Sequence, residues 1–232
     1  MTVPISAARA ALDRLNAARE PMLARTEAWS RQNSGSLERA NLERMAALLA
    51  DAFADLPGAL DLAPLQPSER VRPDGVIETR EHGASIRLRV RSEAPVQVAL
   101  TGHYDTVFAA AHPFQAPVRR DDGTMNGPGV ADMKGGLVVM REALLALEAT
   151  PDAQRIGYEI LISPDEEIGS PASAALLADL GARAHVGMTY EPAMADGTLA
   201  GARKGSGNYS LILKGRAAHV GRAFDDGRNA MV

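Results

Sequence analysis

Between residues 7 and 53 apolar residues recur at helical spacing, and Leu42, Met45, Leu48, Leu49 and Phe53 make one stripe. The spacing predicts two or three amphipathic helices, interrupted at Pro21 and at Asn33-Ser34-Gly35. Trp29 in this stretch reads as a packing residue, as a lone Trp usually is. A Pro/Gly-rich stretch, 56–75, follows. The period then falls to two. Ile86, Leu88 and Val90 alternate with Arg87, Arg89 and Arg91, the pattern of a half-exposed strand near a sheet edge. Strands are also expected at 96–100, 156–162 and 185–190, and helices at 134–148 and 172–180.

Strands alternating with helices predict an α/β domain, a mixed, largely parallel sheet flanked by helices. The polar residues cluster after the expected strand ends. His103 and Asp105 follow the strand ending near Leu100; Asp165, Glu166 and Glu167 follow Ile162; Glu191 follows Tyr190. Asp132 sits in a Gly-rich loop just before a helix. In open α/β sheets the carboxyl ends of the strands form the ligand crevice. From residue 201 the pattern changes to Gly-rich turns around a strand expected at 209–213. Residues 1–200 therefore read as one domain and 201–232 as the beginning of another, too short for its own core.

Composition narrows the chemistry. The 232-residue chain has a net charge of −4 with its basic residues scattered, so nucleic acid and anionic membranes are not expected partners. With no cysteine, there is no disulfide framework, thiolate metal site or Cys nucleophile, and His, Asp and Glu remain as metal ligands. Charged residues break up the first thirty positions, so no signal peptide is expected and a cytoplasmic location follows. No apolar run approaches the roughly 20 residues that span a bilayer.

Singly, a His-x-Asp after a strand is commonly a turn, and Asp132 could be a helix N-cap. Together, one imidazole and several carboxylates at successive strand ends are what divalent cations need. The Asp165-Glu166-Glu167 run after a buried strand points the same way, because such charge is costly to bury without a partner.

Five ordered motifs carry a resemblance: Gly102-His103-Tyr104-Asp105-Thr106-Val107, Gly127-Pro128-Gly129-Val130-Ala131-Asp132-Met133-Lys134-Gly135-Gly136, Pro164-Asp165-Glu166-Glu167-Ile168-Gly169-Ser170, Glu191-Pro192 and Gly215-Arg216-Ala217-Ala218-His219. The series resembles the zinc metallopeptidase family of glutamate carboxypeptidase, acetylornithine deacetylase, succinyl-diaminopimelate desuccinylase and aminoacylase. The resemblance implies a two-zinc amide hydrolase, with Co2+ a possible substitute, in which His103 and Glu191 bind one metal, Glu167 the other, and Asp132 bridges them. It further implies that Asp105 orients His103, that Glu166 is the general base on the attacking water, and that His219 reaches the substrate carbonyl from a lid. A cis Asp132–Met133 peptide bond is implied as well. His82, His112 and His185 match no ligand position and read as structural or exposed.

The same resemblance implies that 201–232 opens an α+β lid and dimerisation domain, and that the chain stops inside it, before a last ligand histidine. The second metal is then expected to bind weakly, and the full-length protein to be a homodimer acting on a small peptide or N-acyl amino acid. The wording of the motifs is most similar to the glutamate carboxypeptidase branch. The alternative expectation is a truncated, non-catalytic relic that at most binds one zinc. A nucleotide-binding domain is disfavoured, because neither G-x-G-x-x-G nor G-x-x-x-x-G-K-[ST] follows a strand.

Overall fold

The computed structural model describes residues 5–201, 204, 205, 207 and 209–231. Three helices open the chain: α1 (Ile5–Ala17), α2 (Arg19–Arg31) and α3 (Arg39–Phe53). Pro21 does not interrupt α2 as expected; it is the third helical residue, in the first turn, where a backbone N–H has no intrahelical partner to lose. Leu42, Met45, Leu49 and Phe53 of α3 are fully buried, while Leu48 turns outward. Trp29 packs in the same core.

The Pro/Gly-rich stretch, for which no element is expected, contains strands. β1 (Ala59–Ala63) is followed by the hairpin β2 (Ser68–Val71) and β3 (Ile77–Arg80), then β4 (Ser85–Val90) and β5 (Val96–His103). A small ribbon of β6 (Val118–Arg119) and β7 (Met125–Asn126) precedes α4 (Gly135–Glu148), β8 (Ile156–Ser163), α5 (Ala174–Arg183) and β9 (Val186–Thr189). The strand expected at 209–213 does not form: among the described residues no segment pairs with it, and an extended segment without a paired neighbour is not a strand.

The main sheet has the order β1-β4-β8-β5-β9, with β5 parallel to β8 and β9, and β4 antiparallel to β1 and β8. It is the mixed sheet expected. One face packs on α3 and α4 through Ile86, Leu88, Leu100, Tyr158, Ile160 and Ile162. The other carries Ala99 and Leu161 against Leu180 of α5.

β4 is near the edge, as expected, but β1 pairs outside it. Its alternate arginines are explained by β8 instead: Arg87 and Arg89 reach the buried Glu159 at 3.1 and 3.0 Å, and Arg183 of α5 reaches it at 2.8 Å. Burial works against the Glu159 charge, but the bonds from Arg183 and Arg87 outweigh it and hold the carboxyl below its usual range. Among the described residues, no helix is long and apolar enough to cross a membrane.

Candidate metal centre

The three parallel strands β5, β8 and β9 end on one side of the sheet, and each delivers polar residues there. β5 ends at His103, the turn after β8 carries Glu166 and Glu167, and Glu191 follows β9 by two residues. Asp132 comes from the turn Val130–Lys134 ahead of α4, with a cis peptide bond to Met133 as the resemblance implies.

His103 is the centre of the arrangement and is fully buried. Its Nε2 lies 2.9 Å from Asp132 Oδ1, 3.6 Å from Glu191 Oε1 and 3.8 Å from Glu166 Oε2. Its Nδ1 faces Asp105, 3.1 Å from the main-chain carbonyl and 3.3 Å from Oδ1. Burial opposes a charged ring, yet the hydrogen bond and charge of Asp105, with Glu191 and Glu166 adding, outweigh it and push the His103 pKa up to about 9.

Asp105 is itself fully buried and is saturated with donors. Ser36 Oγ donates to Oδ2 at 2.7 Å, and the backbone amides of Glu166 and Glu167 donate to Oδ1 and Oδ2 at 3.1 and 3.2 Å. One carboxylate thus fixes both the imidazole and the glutamate turn. Asp165, grouped by sequence with the two glutamates, plays a different part: it is buried and its Oδ2 accepts from the amides of Ala172 and Ser173, securing the turn into α5.

The carboxylates above the ring crowd one another. Glu191 is hydrogen-bonded to Asp132, and its pKa is pushed up first by burial and then by the Asp132 and Glu166 charges, against the pull of His103. Glu167 is pushed up to about 7 by burial, with Asp132, Asp105 and Glu166 reinforcing it and His103 opposing. Such crowding is what a cation relieves. Donor atoms of His103, Asp132 and Glu191 lie within 4.8 Å of one another, a one-nitrogen, two-carboxylate set suited to zinc or a similar divalent ion. The residues present therefore fit a metal. Glu167 stands outside that three-residue group, near enough for the Asp132 charge to help raise its pKa.

His219 is not brought to the centre: it is exposed, and its Nδ1 accepts from the Gly221 amide at 3.1 Å. His82 is buried against Ser68 (2.8 Å), His185 Nδ1 accepts from the Gln97 amide, and His112 stacks near Phe108.

The sequence reading missed three supporting residues. Ser36 bonds Asp105, Ser30 Oγ donates to the Pro128 carbonyl at 2.8 Å, and the buried Lys134 donates to the carbonyls of Gln32 and Trp29 at 2.7 and 3.1 Å. Burial pushes the Lys134 pKa down to about 7. Only the position of Lys134 next to the Asp132 loop could have signalled it. Gly136 has a steric reason: a Cβ there would lie 2.0 Å from the Tyr190 carbonyl, so only glycine lets the start of α4 approach the segment that carries Glu191.

The chain is 30% identical over 151 residues to carboxypeptidase G2 of Pseudomonas sp. (strain RS-16), covering 65% of this chain and 36% of that protein. It is 31% identical over 150 residues to a probable succinyl-diaminopimelate desuccinylase of Staphylococcus epidermidis, covering 62% and 36%. The chain thus spans little more than a third of the length of these curated relatives. Its fold is similar to human carnosine dipeptidase 1, with a TM-score of 0.64 at 16% identity over 80% of this chain and 41% of that one. An M20 family metallo-carboxypeptidase from Sulfolobus solfataricus superposes with a TM-score of 0.57 at 16% identity, over 76% and 38%. The model of the peptidase family M20/M25/M40 matches residues 99–219, more than half of the chain and the span from β5 through His219. The chain belongs to the peptidase family M20/M25/M40.

Proposed function

We propose that this chain carries the metal-binding part of a two-zinc hydrolase that cleaves an amide bond in a small peptide or an N-acyl amino acid. The observation that carries the reading is the convergence of His103 Nε2 with the Asp132 and Glu191 carboxylates within 4.8 Å, with Glu166 Oε2 3.8 Å from the same ring nitrogen. His103, Asp132 and Glu191 would hold one zinc; Asp132 and Glu167 would hold the second, with Co2+ an alternative ion. A bound divalent cation supplies Lewis acidity and lowers the pKa of water.

The chain's own residues then have defined tasks. Asp105 engages Nδ1 of His103, which leaves Nε2 free to ligate and fixes the ring's orientation. Glu166 is half exposed, with its amide tied to Asp105, so its carboxylate is held at the crevice mouth, able to take a proton from the attacking water and pass it to the leaving nitrogen. His219 contacts the substrate carbonyl in this reading, in a homodimer. The names of the relatives, a carboxypeptidase and a desuccinylase, support removal of a C-terminal residue or of an acyl group as the reaction class.

The test is zinc content of the purified chain beside Glu191→Ala and Glu166→Gln. The expected result is about one zinc or more in the parent and in Glu166→Gln, and its loss in Glu191→Ala. A folded parent chain that takes up no zinc overturns the reading.

A further inference from the structure

The segment between Trp29 and Ser36 touches both loops that carry the candidate ligands. On one side Ser30 Oγ holds the Pro128 carbonyl and Lys134 Nζ holds the carbonyls of Trp29 and Gln32. On the other side Ser36 Oγ holds Asp105, and the backbones of Ser34, Ser36 and Thr106 exchange hydrogen bonds of 2.9 and 3.1 Å. Asp132 lies between Pro128 and Lys134, in a loop closed by the Lys134 amide on the Gly129 carbonyl at 2.7 Å.

Lys134 is the unusual member of this set. It is fully buried, and both acceptors of its ammonium are main-chain carbonyls at the C-terminal end of α2, that of Trp29 shared with the Gln32 amide at 3.2 Å, where the last carbonyls carry partial negative charge. Its stem lies over Gly129, where a Cβ would come within 2.9 Å of Cδ. Burying an ammonium is costly, and an apolar side chain of the same length would fill the same space without that cost. What an apolar chain would not do is tie the loop to α2. Asp132 needs such a tie, because its own side chain is half exposed and its contacts are the other members of the centre, His103 and Glu191.

We propose that Lys134 is a positioning residue for the metal centre: it anchors the Asp132 loop to the same segment that Ser36 anchors to Asp105, and so fixes the spacing of Asp132 from His103. The inference rests on the metal-hydrolase reading above. In it, the helical N-terminal region, remote in sequence from every ligand, sets the geometry of the site through one ammonium and two serine hydroxyls.

The experiment compares Lys134→Met, which keeps the stem and removes the donor, with Lys134→Arg and with Val90→Ala. Val90 is a buried core residue at the end of β4, paired with Tyr158 near the start of β8 and so at the opposite end of the sheet from the site. Two quantities are read: zinc affinity by chelator competition, and amide exchange at Val130 and Lys134 in the metal-free protein. Lys134→Met is expected to weaken zinc about 10–100-fold, the usual range for a residue supporting a ligand, and to speed exchange at both amides. Lys134→Arg, which retains donors, is expected to recover part of both. Val90→Ala is expected to lower the unfolding temperature and change neither. Wild-type affinity and exchange in Lys134→Met overturn the proposal, whatever happens to its unfolding temperature. If Lys134→Met does not fold, Ser30→Ala removes a single hydroxyl from the same tie; a few-fold weaker affinity with faster exchange supports the proposal and wild-type values overturn it. A wild-type chain that binds no zinc overturns the metal reading itself and this role with it, an outcome separable from the others because it is seen before any substitution.

Discussion

Asp105 Oδ1 accepts a hydrogen bond from the Glu166 backbone amide at 3.1 Å, so the residue that orients the His103 ring also orients the turn bearing the two glutamates. His103 ends β5 and Glu166 follows β8. The two strands are adjacent and parallel, and Asp105 bridges their ends where the ladder stops. The imidazole and the proposed base are therefore positioned as a unit.

Asp105→Asn tests that unit. An asparagine offers one acceptor oxygen where the aspartate uses two, against donors from Ser36, Glu166 and Glu167, and its NH2 group would face at least one of them. Leaving buried donors unpaired costs about 1–3 kcal/mol. Zinc affinity is expected to fall about 10–100-fold as the ring loses its anchor. Thermal unfolding with and without chelator, together with a zinc titration, checks both effects.

The metal-free protein should have a distinctive pH profile. Glu167 has its pKa raised to about 7 from 4.5, so its contribution to stability is fully present below 4.5 and is lost as pH rises through 7. His103, raised from 6.5 to about 9, contributes below 6.5 and loses that contribution as pH rises through 9. Lys134, lowered from 10.5 to about 7, acts oppositely: its penalty is absent above 10.5 and accumulates as pH falls through 7. Between pH 7 and 9 the last two offset each other, whereas between 4.5 and 7 Glu167 and Glu191, both raised, lower stability as pH rises, and His82, lowered by burial, opposes them below 6.5. With Glu167 the largest shift in that window, the unfolding temperature of chelator-treated protein is expected to fall from pH 5 to 7, and Glu167→Gln to reduce that fall. Zinc, which needs deprotonated ligands, should stabilise more strongly as pH rises over the same range.

Glu159 supplies a prediction about stability without the site. Three arginines, Arg87, Arg89 and Arg183, share its carboxylate, and Asp179 balances only Arg183. Glu159→Gln leaves guanidinium groups facing one another across β4 and α5. Because the arginines are partly exposed, solvent screening reduces the cost to about 1–2 kcal/mol, below the 3–5 kcal/mol of a fully buried pair. Urea unfolding should show that loss, shrinking at high salt as the Arg–Arg repulsion is screened, while zinc affinity is unchanged.

Much of this arrangement was legible in the sequence, and the parts that were not share a cause. Strand-end positions of His103, Glu166 and Glu191 follow from alternation of β and α patterns, because a parallel sheet places successive strand ends together. β1 escaped notice because Ala59–Ala63 lies in a Pro/Gly-rich stretch and owes its state to pairing with β4, a tertiary effect that local propensity does not encode. The arginines of β4 looked like solvent-facing residues because their partner, Glu159, lies some seventy positions away. Ser30, Ser36 and Lys134 were illegible for the same reason: each acts through a bond spanning between 69 and 105 positions. A serine in the last turn of a helix, a serine in a turn and a lysine before a helix have no local signature that separates them from ordinary surface residues.

Gly136→Ala bears on how Glu191 is brought to the centre. Gly136 is the second residue of α4, and a methyl group there would sit 2.0 Å from the Tyr190 carbonyl, one residue before Glu191. The clash is with main chain on both sides, so no side-chain rotation relieves it. Either α4 or the segment after β9 must move. α4 is held by a core of Leu137, Val138, Met140 and Leu144, whereas β9 is an edge strand with all four residues exposed. The weaker element moves, carrying Glu191 away from Asp132 and His103. Alanine is otherwise the better helix former by about 1 kcal/mol, so a purely local account predicts a more stable protein. The structure predicts instead that Gly136→Ala binds zinc as poorly as Glu191→Ala while α4 remains helical. A zinc titration beside far-ultraviolet circular dichroism separates the two, and wild-type zinc affinity in Gly136→Ala would show that the contact with Tyr190 does not set the position of Glu191.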